Sequence, residues 1–130
     1  MTVTLNSPGY ASDWLKGESQ SGEYFSRDQI VVAQGQGVLV TGTVLAQRTA
    51  DGKYVVAATG TNDGSQTANA ILFNQAVDTT LADQPAVAIT RHATVMHQGL
   101  VWGATINSPA LRAAAVAQLA LKGIIDRQGA

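Results

Sequence analysis

The sequence predicts a small, mainly β domain with one short C-terminal helix and an extended N-terminal arm. Three observations support this fold class: β-prone runs separated by turn residues from residue 24 onward, a single bounded helical segment near the C-terminus, and a polar, aperiodic stretch over residues 1–23. Short strands separated by turn signals are typical of all-β folds. We therefore divide the chain into an arm, residues 1–23, and a β-rich domain, residues 24–130.

The arm is rich in Ser, Gly, Asn, Gln and Glu. A segment of this composition buries too little apolar area to offset the entropy of ordering, so we expect it to be disordered in isolation. Bulky apolar side chains on such a segment are candidate anchors for a partner protein. The candidates are Leu5, Tyr10, Trp14 and Leu15. The alternative is that Trp14 folds back onto the domain.

The first half of the domain contains short β-prone runs that indicate a meander. The runs are 29–33, 37–40, 42–46 and 53–57. The dipeptide Asp51-Gly52 lies between two of them and predicts a hairpin, because both residue types tolerate the positive φ of a primed turn. A second loop is predicted at Asn62-Asp63-Gly64.

The second half continues with three further segments and then a helix. The segments are a short buried strand (70–73), a connecting loop (78–85) and a long strand (86–97). Ser108 provides an N-cap and Pro109 a residue suited to the first helical position, while Gly123 marks the end of the helix. The apolar stripe of this helix is predicted at Leu111, Ala115 and Leu119.

Alternation along the 86–97 strand predicts part of the core. Successive side chains point to opposite faces, so Ile89 and Val95 share a face that we expect to be buried. Leu100 and Trp102 follow the strand and are also apolar. All four residues are predicted to form the core or a subunit interface.

No catalytic, metal-binding or cofactor-binding residues are predicted, and we expect a protein that is not an enzyme. The chain has no cysteine, which excludes disulfides and thiolate metal sites. The two histidines, His92 and His97, point to opposite faces of the predicted strand and cannot share one metal. An enzymatic alternative would begin with Arg91 and His97, which share a face of that strand.

Charge and hydropathy narrow the classes of partner. The formal net charge is −1 and the eight Lys and Arg residues are scattered, which argues against nucleic acid. The sequence offers no apolar run long enough to span a membrane and no signal-peptide pattern at its start, so we expect synthesis in the cytoplasm. Charged residues make up 13% of the chain, against about 25% in typical domains, which favours association.

Several segments carry a family resemblance through their order and spacing. They are SRDQIVVA (26–33), GTVL (42–45), DGKYV (51–55), AIL (70–72), AVDTT (76–80), VAITRHATV (87–95), LVW (100–102) and ALKGIIDR (120–127). Taken together, they resemble the bacteriophage head decoration proteins of the lambda protein D type. The arm does not align with that family residue by residue.

The resemblance implies a β-clip fold, no catalysis and no cofactor. It further implies homotrimers that bind at three-fold sites of the expanded phage head, contact the major capsid protein through the arm and stabilise the head. The protein would then be made in the host cytoplasm and lie on the outer surface of the virion capsid, without nucleic acid or membrane as a partner. The alternative is another trimeric β-rich virion surface module or a carbohydrate-binding module.

Overall fold

The computed structural model describes residues 11–18 and 26–127. Within these residues the chain forms strands, one α-helix and two single-turn 3-10 helices. The strands are β1 (Leu15–Glu18), β2 (Arg27–Val32), β3 (Val38–Val40), β4 (Val44–Gln47), β5 (Tyr54–Val56), β6 (Ala70–Leu72), β7 (Ala76–Asp78), β8 (Gln84–Ile89), β9 (Ala93–Met96) and β10 (Ile124–Arg127). The helix α1 is Pro109–Ala120, and the 3-10 helices are Ala11–Asp13 and His97–Gly99. The prediction of a mainly β domain with one helix near the C-terminus is confirmed.

Five strands close a small barrel in the order β2-β5-β4-β6-β8. Neighbours pair antiparallel except for β2 and β5, which meet in parallel at Val32 and Tyr54. Val32, Leu45 and Leu72 are fully buried and form one apolar cluster with barrel alanines such as Ala88. Closure removes the unpaired strand edges that an open sheet would expose.

The second sheet lies beside the barrel and has the order β1-β9-β10. The central strand β9 runs antiparallel to β1 and parallel to β10. Helix α1 contacts β10, and Ala115 and Leu119 from the helix are buried in a cluster with Val95 and Ile124. A separate pair, β3 and β7, completes the described strands.

The hairpin and the helix boundaries were predicted correctly. Strands β4 and β5 are antiparallel neighbours, and Gly52 in the turn between them has φ +72°. The Ser108 side chain accepts a hydrogen bond from the backbone N–H of Leu111, with Pro109 as the first helical residue. Gly123 has φ +76° just after the helix, the left-handed conformation that commonly ends helices.

The prediction of one long strand over 86–97 is wrong. β8 ends at Ile89 in the barrel and β9 begins at Ala93 in the other sheet. His92 has φ +49° at the break, and the backbone N–H of Thr90 and the carbonyl of His92 both bond to Ser26. Alternation could not reveal this break, because the apolar pattern continues while the chain changes sheets. The predicted loop 78–85 is also shorter, since β7 ends at Asp78 and β8 begins at Gln84.

Within the predicted arm, residues 11–18 belong to the folded domain rather than to a disordered extension. Ala11–Asp13 form a 3-10 turn, and β1 pairs with β9. Strand pairing and the burial of Trp14 offset the entropy of ordering that composition alone suggested would prevail. The rest of the predicted arm, residues 1–10 and 19–23, lies outside the described residues.

Candidate interaction site

Trp14 fixes the start of the described chain to the domain. Its side chain is 0% exposed, and its indole N–H donates a hydrogen bond of 2.9 Å to the hydroxyl of Thr41. Its carbonyl accepts a hydrogen bond of 2.6 Å from the backbone N–H of Met96. The indole therefore satisfies its one polar group while burying a large apolar ring.

Two glycines provide the space for Trp14. A Cβ atom at Gly42 would lie 3.0 Å from Trp14 Cδ1 and 2.7 Å from the carbonyl oxygen of Gly99. A Cβ atom at Gly99 would lie 2.7 Å from Trp14 Cβ and 2.5 Å from the carbonyl oxygen of Asp13. We call Gly42, Gly99 and Thr41 the Trp14 slot. Sequence reasoning missed the slot because its parts are far apart in the chain.

The interpretation of Trp14 as a docking anchor is therefore corrected. A side chain without exposed surface cannot contact another protein unless the fold opens, and the alternative that Trp14 folds back onto the domain describes the structure. Leu15 is half-buried and packs against the same cluster, and its contact with a partner stays a prediction. Leu5 and Tyr10 lie outside the described residues.

Strand β1 leaves one edge of its sheet without a strand among the described residues. It is the terminal strand of the β1-β9-β10 sheet, with Gly17 opposite Thr94 and Glu18 opposite Ala93. The far end of β1 is tied to β2 by an ion pair of 2.6 Å between Glu18 and Arg27. A strand from another protein can add to such an edge through backbone hydrogen bonds, with little demand on side-chain identity.

The predicted core-or-interface residues lie in different environments. Ile89 and Val95 are 0% exposed and Leu100 is 7% exposed, so they have almost no surface to offer another subunit. Trp102 is half-buried and packs against the cluster that contains all three. Its ring centroid lies 5.6 Å from that of His97. Trp102 is thus the one member of this set with surface left for a contact.

Large apolar side chains elsewhere remain exposed on the described surface. They are Val31, Val38, Leu81, Val101, Leu121 and Ile125. Leu81 and Leu121 are exposed by 87% and 86%. Sequence reasoning did not single out these residues. Isolated exposed apolar residues are common, but they are also the side chains that a symmetric neighbour can cover.

The two histidines and Arg91 do not form a common site. Arg91 pairs with Asp28, whereas His97 Nδ1 lies 2.6 Å from Asp126 Oδ2. Arg91 lies in the break between β8 and β9 and His97 follows β9, so the two side chains pair with different carboxylates. The described residues also contain no group of three or more His, Asp or Glu side chains that could hold a metal ion.

One exposed ion pair connects the β4–β5 hairpin with the loop before β8. The amine of Lys53 lies 2.6 Å from Asp83 Oδ2, and this hydrogen bond lowers the pKa of Asp83 and raises the pKa of Lys53. Within the turn, the hydrogen bond from Arg48 lowers the pKa of Asp51. Burial raises the pKa of Tyr54 on the adjacent strand. These ion pairs connect loop residues, and the lowered pKa values mean that the folded state favours the ionised form of both carboxylates.

In the part of the chain that the structure describes, no helix has the length and apolar character needed to cross a membrane.

Comparison with known proteins shows which protein family the sequence matches. A family model described as bacteriophage lambda head decoration protein D matches residues 4–124. The matched range begins before Trp14 and ends at the first residue of β10, so it contains the Trp14 slot, the barrel and α1. No curated protein matches the sequence.

Proposed function

Because the chain belongs to the bacteriophage lambda head decoration protein D family, we propose that it binds the expanded phage head as trimers at three-fold sites and stabilises it from the outer surface. The single observation that carries this proposal is the match of the family model over residues 4–124. Membership makes the chain a structural protein of the phage capsid. The trimer, the three-fold site and the outer surface are the proposed refinements, as are the absence of catalysis and of nucleic-acid or membrane partners.

The open edge of β1 supports a contact with the major capsid protein. Trp14 directly precedes β1 and is held in its slot by the hydrogen bond to Thr41. Residues 1–10, which precede this fixed point, could then contact a strand of the capsid protein. Strand β1 itself could accept a capsid strand at its open edge. Contacts of this kind depend mainly on backbone groups and place little demand on the side chains of residues 1–10.

Symmetry supports a trimer. A protein that occupies a three-fold position presents the same surface in each copy and closes into a ring. Leu81 and Leu121 are almost fully exposed in the single chain, and a neighbouring copy can cover such side chains. Three attachment points on one trimer raise the effective concentration of each, so weak single contacts give tight binding overall.

Selective binding explains how decoration would stabilise the head. A ligand that binds the expanded lattice and not its unexpanded or disrupted forms stabilises the expanded lattice by mass action. The proposed role therefore requires no chemical step.

Co-sedimentation with undecorated heads, before and after expansion, tests the function. We expect saturable binding of the full chain to expanded heads only, and weaker binding of a variant that consists of residues 11–130. The variant lacks residues 1–10 but keeps Trp14, so the Trp14 side chain still fills its slot. An unfolding curve checks that the domain is intact. A matched control is Ala50→Ser, which changes an exposed turn residue while leaving residues 1–10 in place.

Three outcomes would contradict the proposal at different levels. If the full chain sedimented with neither form of the head, the cementing function would be wrong. If residues 11–130 bound as tightly as the full chain, the contact would lie outside residues 1–10. Sedimentation velocity of the free protein and of protein released from heads measures the oligomeric state. A protein that stayed monomeric in both samples would contradict the trimer.

A further inference from the structure

The barrel is joined at only one position along the seam between β2 and β5. These strands pair at Val32 and Tyr54, whereas β2 pairs with β8 over its whole length. Ahead of Val32 the seam opens into a cleft of about 550 Å³. Residues 28–31 of β2 form one wall of the cleft, and Gln47 with residues 51–54 of the β4–β5 hairpin forms the other. We call it the β2 cleft.

The backbone of β2 directs hydrogen-bonding groups into this cleft. In an antiparallel pair, alternate residues bond to the partner strand, and the residues between them point their N–H and C=O groups away from it. Val87 lies opposite Gln29. Its N–H donates to the side chain of Asn74 and its carbonyl accepts from the N–H of Phe73, so Val87 and Gln29 are not hydrogen-bonded to each other. The backbone groups of Gln29, and of Val31 two residues on, therefore point to the cleft side of β2.

The hairpin wall uses its own backbone groups to form its turn. The N–H of Lys53 donates to Asp51 Oδ1, and the carbonyl of Lys53 accepts from the N–H of Arg48. The carbonyl of Gly52 accepts from the side-chain amide of Gln47. These groups are not directed at β2, so a partner for the edge of β2 must come from another segment.

The side chains beside this edge are exposed. Val31 is 43% exposed and Gln29 is also exposed, whereas Ile30 between them lies in the apolar cluster of the barrel. An unpaired strand edge at the surface is a site to which another strand can add. The β2 cleft therefore offers backbone hydrogen bonds to an extended segment.

The N-terminal residues contain a segment with the pattern of such a strand. Within the otherwise aperiodic residues 1–23, Thr2-Val3-Thr4-Leu5 alternates polar and apolar residues, and three of the four are β-branched residues that favour strands. Asn6-Ser7-Pro8-Gly9 follows and is typical of a turn. Residues 2–6 match in number residues 27–31, the part of β2 ahead of Val32, and each set would extend for about 17 Å as a strand.

The segment cannot come from the same copy, because the described chain starts across the barrel from the cleft. In the strand order β6 lies opposite the β2–β5 seam, and Trp14 is bonded to Thr41, whose hydroxyl donates to the carbonyl of Phe73 directly after β6. Ala11 packs against the cluster that contains Trp14. From residue 6 to Ala11 the chain spans at most about 18 Å. A straight line across a five-strand barrel and one packed layer is already about 18 Å, and the chain must go around the core, so a neighbouring copy must supply the segment.

We propose that the β2 cleft holds residues 2–6 of a neighbouring copy as an added strand, so that copies of the free protein exchange their N-terminal segments. An open strand edge and an unpaired β-prone segment each favour non-specific association, and pairing one with the other removes both hazards. The inference goes beyond the proposed function, because it names a surface through which copies join before the protein meets the head. On the head, residues 1–10 can exchange this edge for a capsid strand, since both contacts use backbone groups.

Alternation determines which side chains of the added strand meet those of β2. Side chains of neighbouring strands at the same level share a face of the sheet. Apolar side chains belong on the buried face, so we place Val3 and Leu5 on the side of Ile30. Thr4 then lies on the outer face with Val31.

Disulfide cross-linking between copies tests this placement, since the chain has no cysteine of its own. A Thr4→Cys chain is mixed with a mass-labelled Gln29→Cys or Val31→Cys chain, and the mixture is oxidised. A disulfide requires Cα atoms about 4.4–6.8 Å apart. We expect one or both cleft positions to give at least about fivefold more mixed disulfide than Val38→Cys, a control with an exposed valine outside the cleft. Yields at both cleft positions no higher than that of the control would overturn the proposal.

Proline substitutions test the backbone pairing in the full chain. The N–H groups of successive strand residues point in opposite directions, so either Val3→Pro or Thr4→Pro removes a donor directed at β2. We expect one of the two to weaken self-association in sedimentation velocity by about tenfold or more. The matched control is Ser7→Pro, which changes a residue outside the proposed strand and is expected to leave self-association unchanged. Unchanged self-association in both strand variants would overturn the proposal, and none of the three changes lies in the described domain.

A double variant tests whether the segment comes from a neighbouring copy. If the segment lay on its own barrel, Thr4→Cys and Val31→Cys in one chain would form an intrachain disulfide at a yield independent of concentration, and this result would overturn the exchange. Failure of the exchange leaves the proposed function standing, because a trimer that persists in both proline variants can still bind expanded heads. Conversely, cross-linking at the cleft in a protein that does not bind heads would support the exchange and contradict the cementing function.

Discussion

A single tryptophan links the beginning of the described chain to the turn between β3 and β4 and to strand β9. Trp14 is bonded to Thr41 through its side chain and to Met96 through its backbone. Gly42 and Gly99 leave room for the ring because neither has a Cβ atom. At the residue scale, the attachment of β1 therefore depends on one large side chain and on two positions where any side chain would collide with it.

Replacement of the ring should be costly. We expect Trp14→Ala to lower the free energy of unfolding by about 3–5 kcal/mol, the usual cost of removing a buried aromatic side chain. Denaturant unfolding measures the loss. As a control, Ala50→Ser changes an exposed turn residue and should shift stability by no more than about 0.5 kcal/mol. Similar effects of the two substitutions would show that Trp14 is not a core residue.

Two glycines with nearly the same φ separate backbone strain from packing. Gly42 and Gly35 have φ of +89° and +91°, but a Cβ atom at Gly42 meets Gly99 and Trp14 whereas one at Gly35 meets nothing within 4 Å. We expect Gly42→Ala to destabilise the protein by about 1–3 kcal/mol more than Gly35→Ala, because only the former adds overpacking to the strain. Equal losses in thermal or denaturant unfolding would contradict the described slot.

At the element scale, contacts between loops hold the barrel strands in place. Lys53 follows the β4–β5 turn and pairs with Asp83, which precedes β8. Asp83 also accepts a hydrogen bond of 2.7 Å from the backbone N–H of Gln34, just after β2. One carboxylate thus joins three separate segments at the same end of the barrel. Both partners are more than a third exposed, so their ion pair should contribute little and be sensitive to salt.

The lowered pKa of Asp83 gives this contact a defined pH dependence. Since the folded state favours the ionised carboxylate, its stabilisation is present above the ordinary Asp pKa of about 3.9 and is lost as the pH falls through the lower folded value. We expect the stability difference between the protein and Asp83→Asn to narrow below about pH 4 and with added salt. Urea unfolding across pH and salt measures the difference.

Asp78→Asn is the matched control for salt. The pKa of Asp78 is lowered by hydrogen bonds from Thr80, and no cation is among the causes. Its stability difference should therefore narrow at low pH but respond less to salt than that of Asp83. An equal salt response at the two positions would contradict the role of Lys53.

At the scale of the whole molecule, the barrel and the second sheet share their stabilisation. Barrel residues such as Val44 and Ile71 lie in the same apolar cluster as Trp14 from the N-terminal segment and Leu119 from α1. The chain therefore brings its first and last described elements together around one core. Stability should depend on residues 11–18 even though they are far in sequence from most of their contacts.

Two truncations measure this dependence. We expect a fragment of residues 24–130 to be less stable than residues 11–130 by at least about 3 kcal/mol, since it lacks both Trp14 and β1. The comparison also distinguishes loss of folding from loss of head binding, which residues 11–130 test alone. Equal unfolding free energies for the two fragments would show that residues 11–23 do not support the domain.

The parts of the fold that were predicted correctly depend on local chemistry. Ser108, Pro109 and Gly123 bound the helix, and Asp51-Gly52 forms the hairpin turn, because caps and turns are determined by residues a few positions apart. The break at His92 was not predicted, since its hydrogen-bonding partner Ser26 is distant in the chain. Burial of Trp14 was only the alternative prediction for the same reason, because the glycines of its slot lie far along the sequence.

The sequence by itself determined the mainly β class, the hairpin, the helix with its boundaries, and, through segments that resemble a known family, the capsid role. These features depend on local backbone preferences and on the order of short motifs. Only the tertiary structure decided that β8 and β9 belong to different sheets, that Trp14 is buried rather than available to a partner, and that β2 and β5 pair at only one position. Each of these depends on contacts between distant segments, which form when the chain packs around a common core and which no local pattern records.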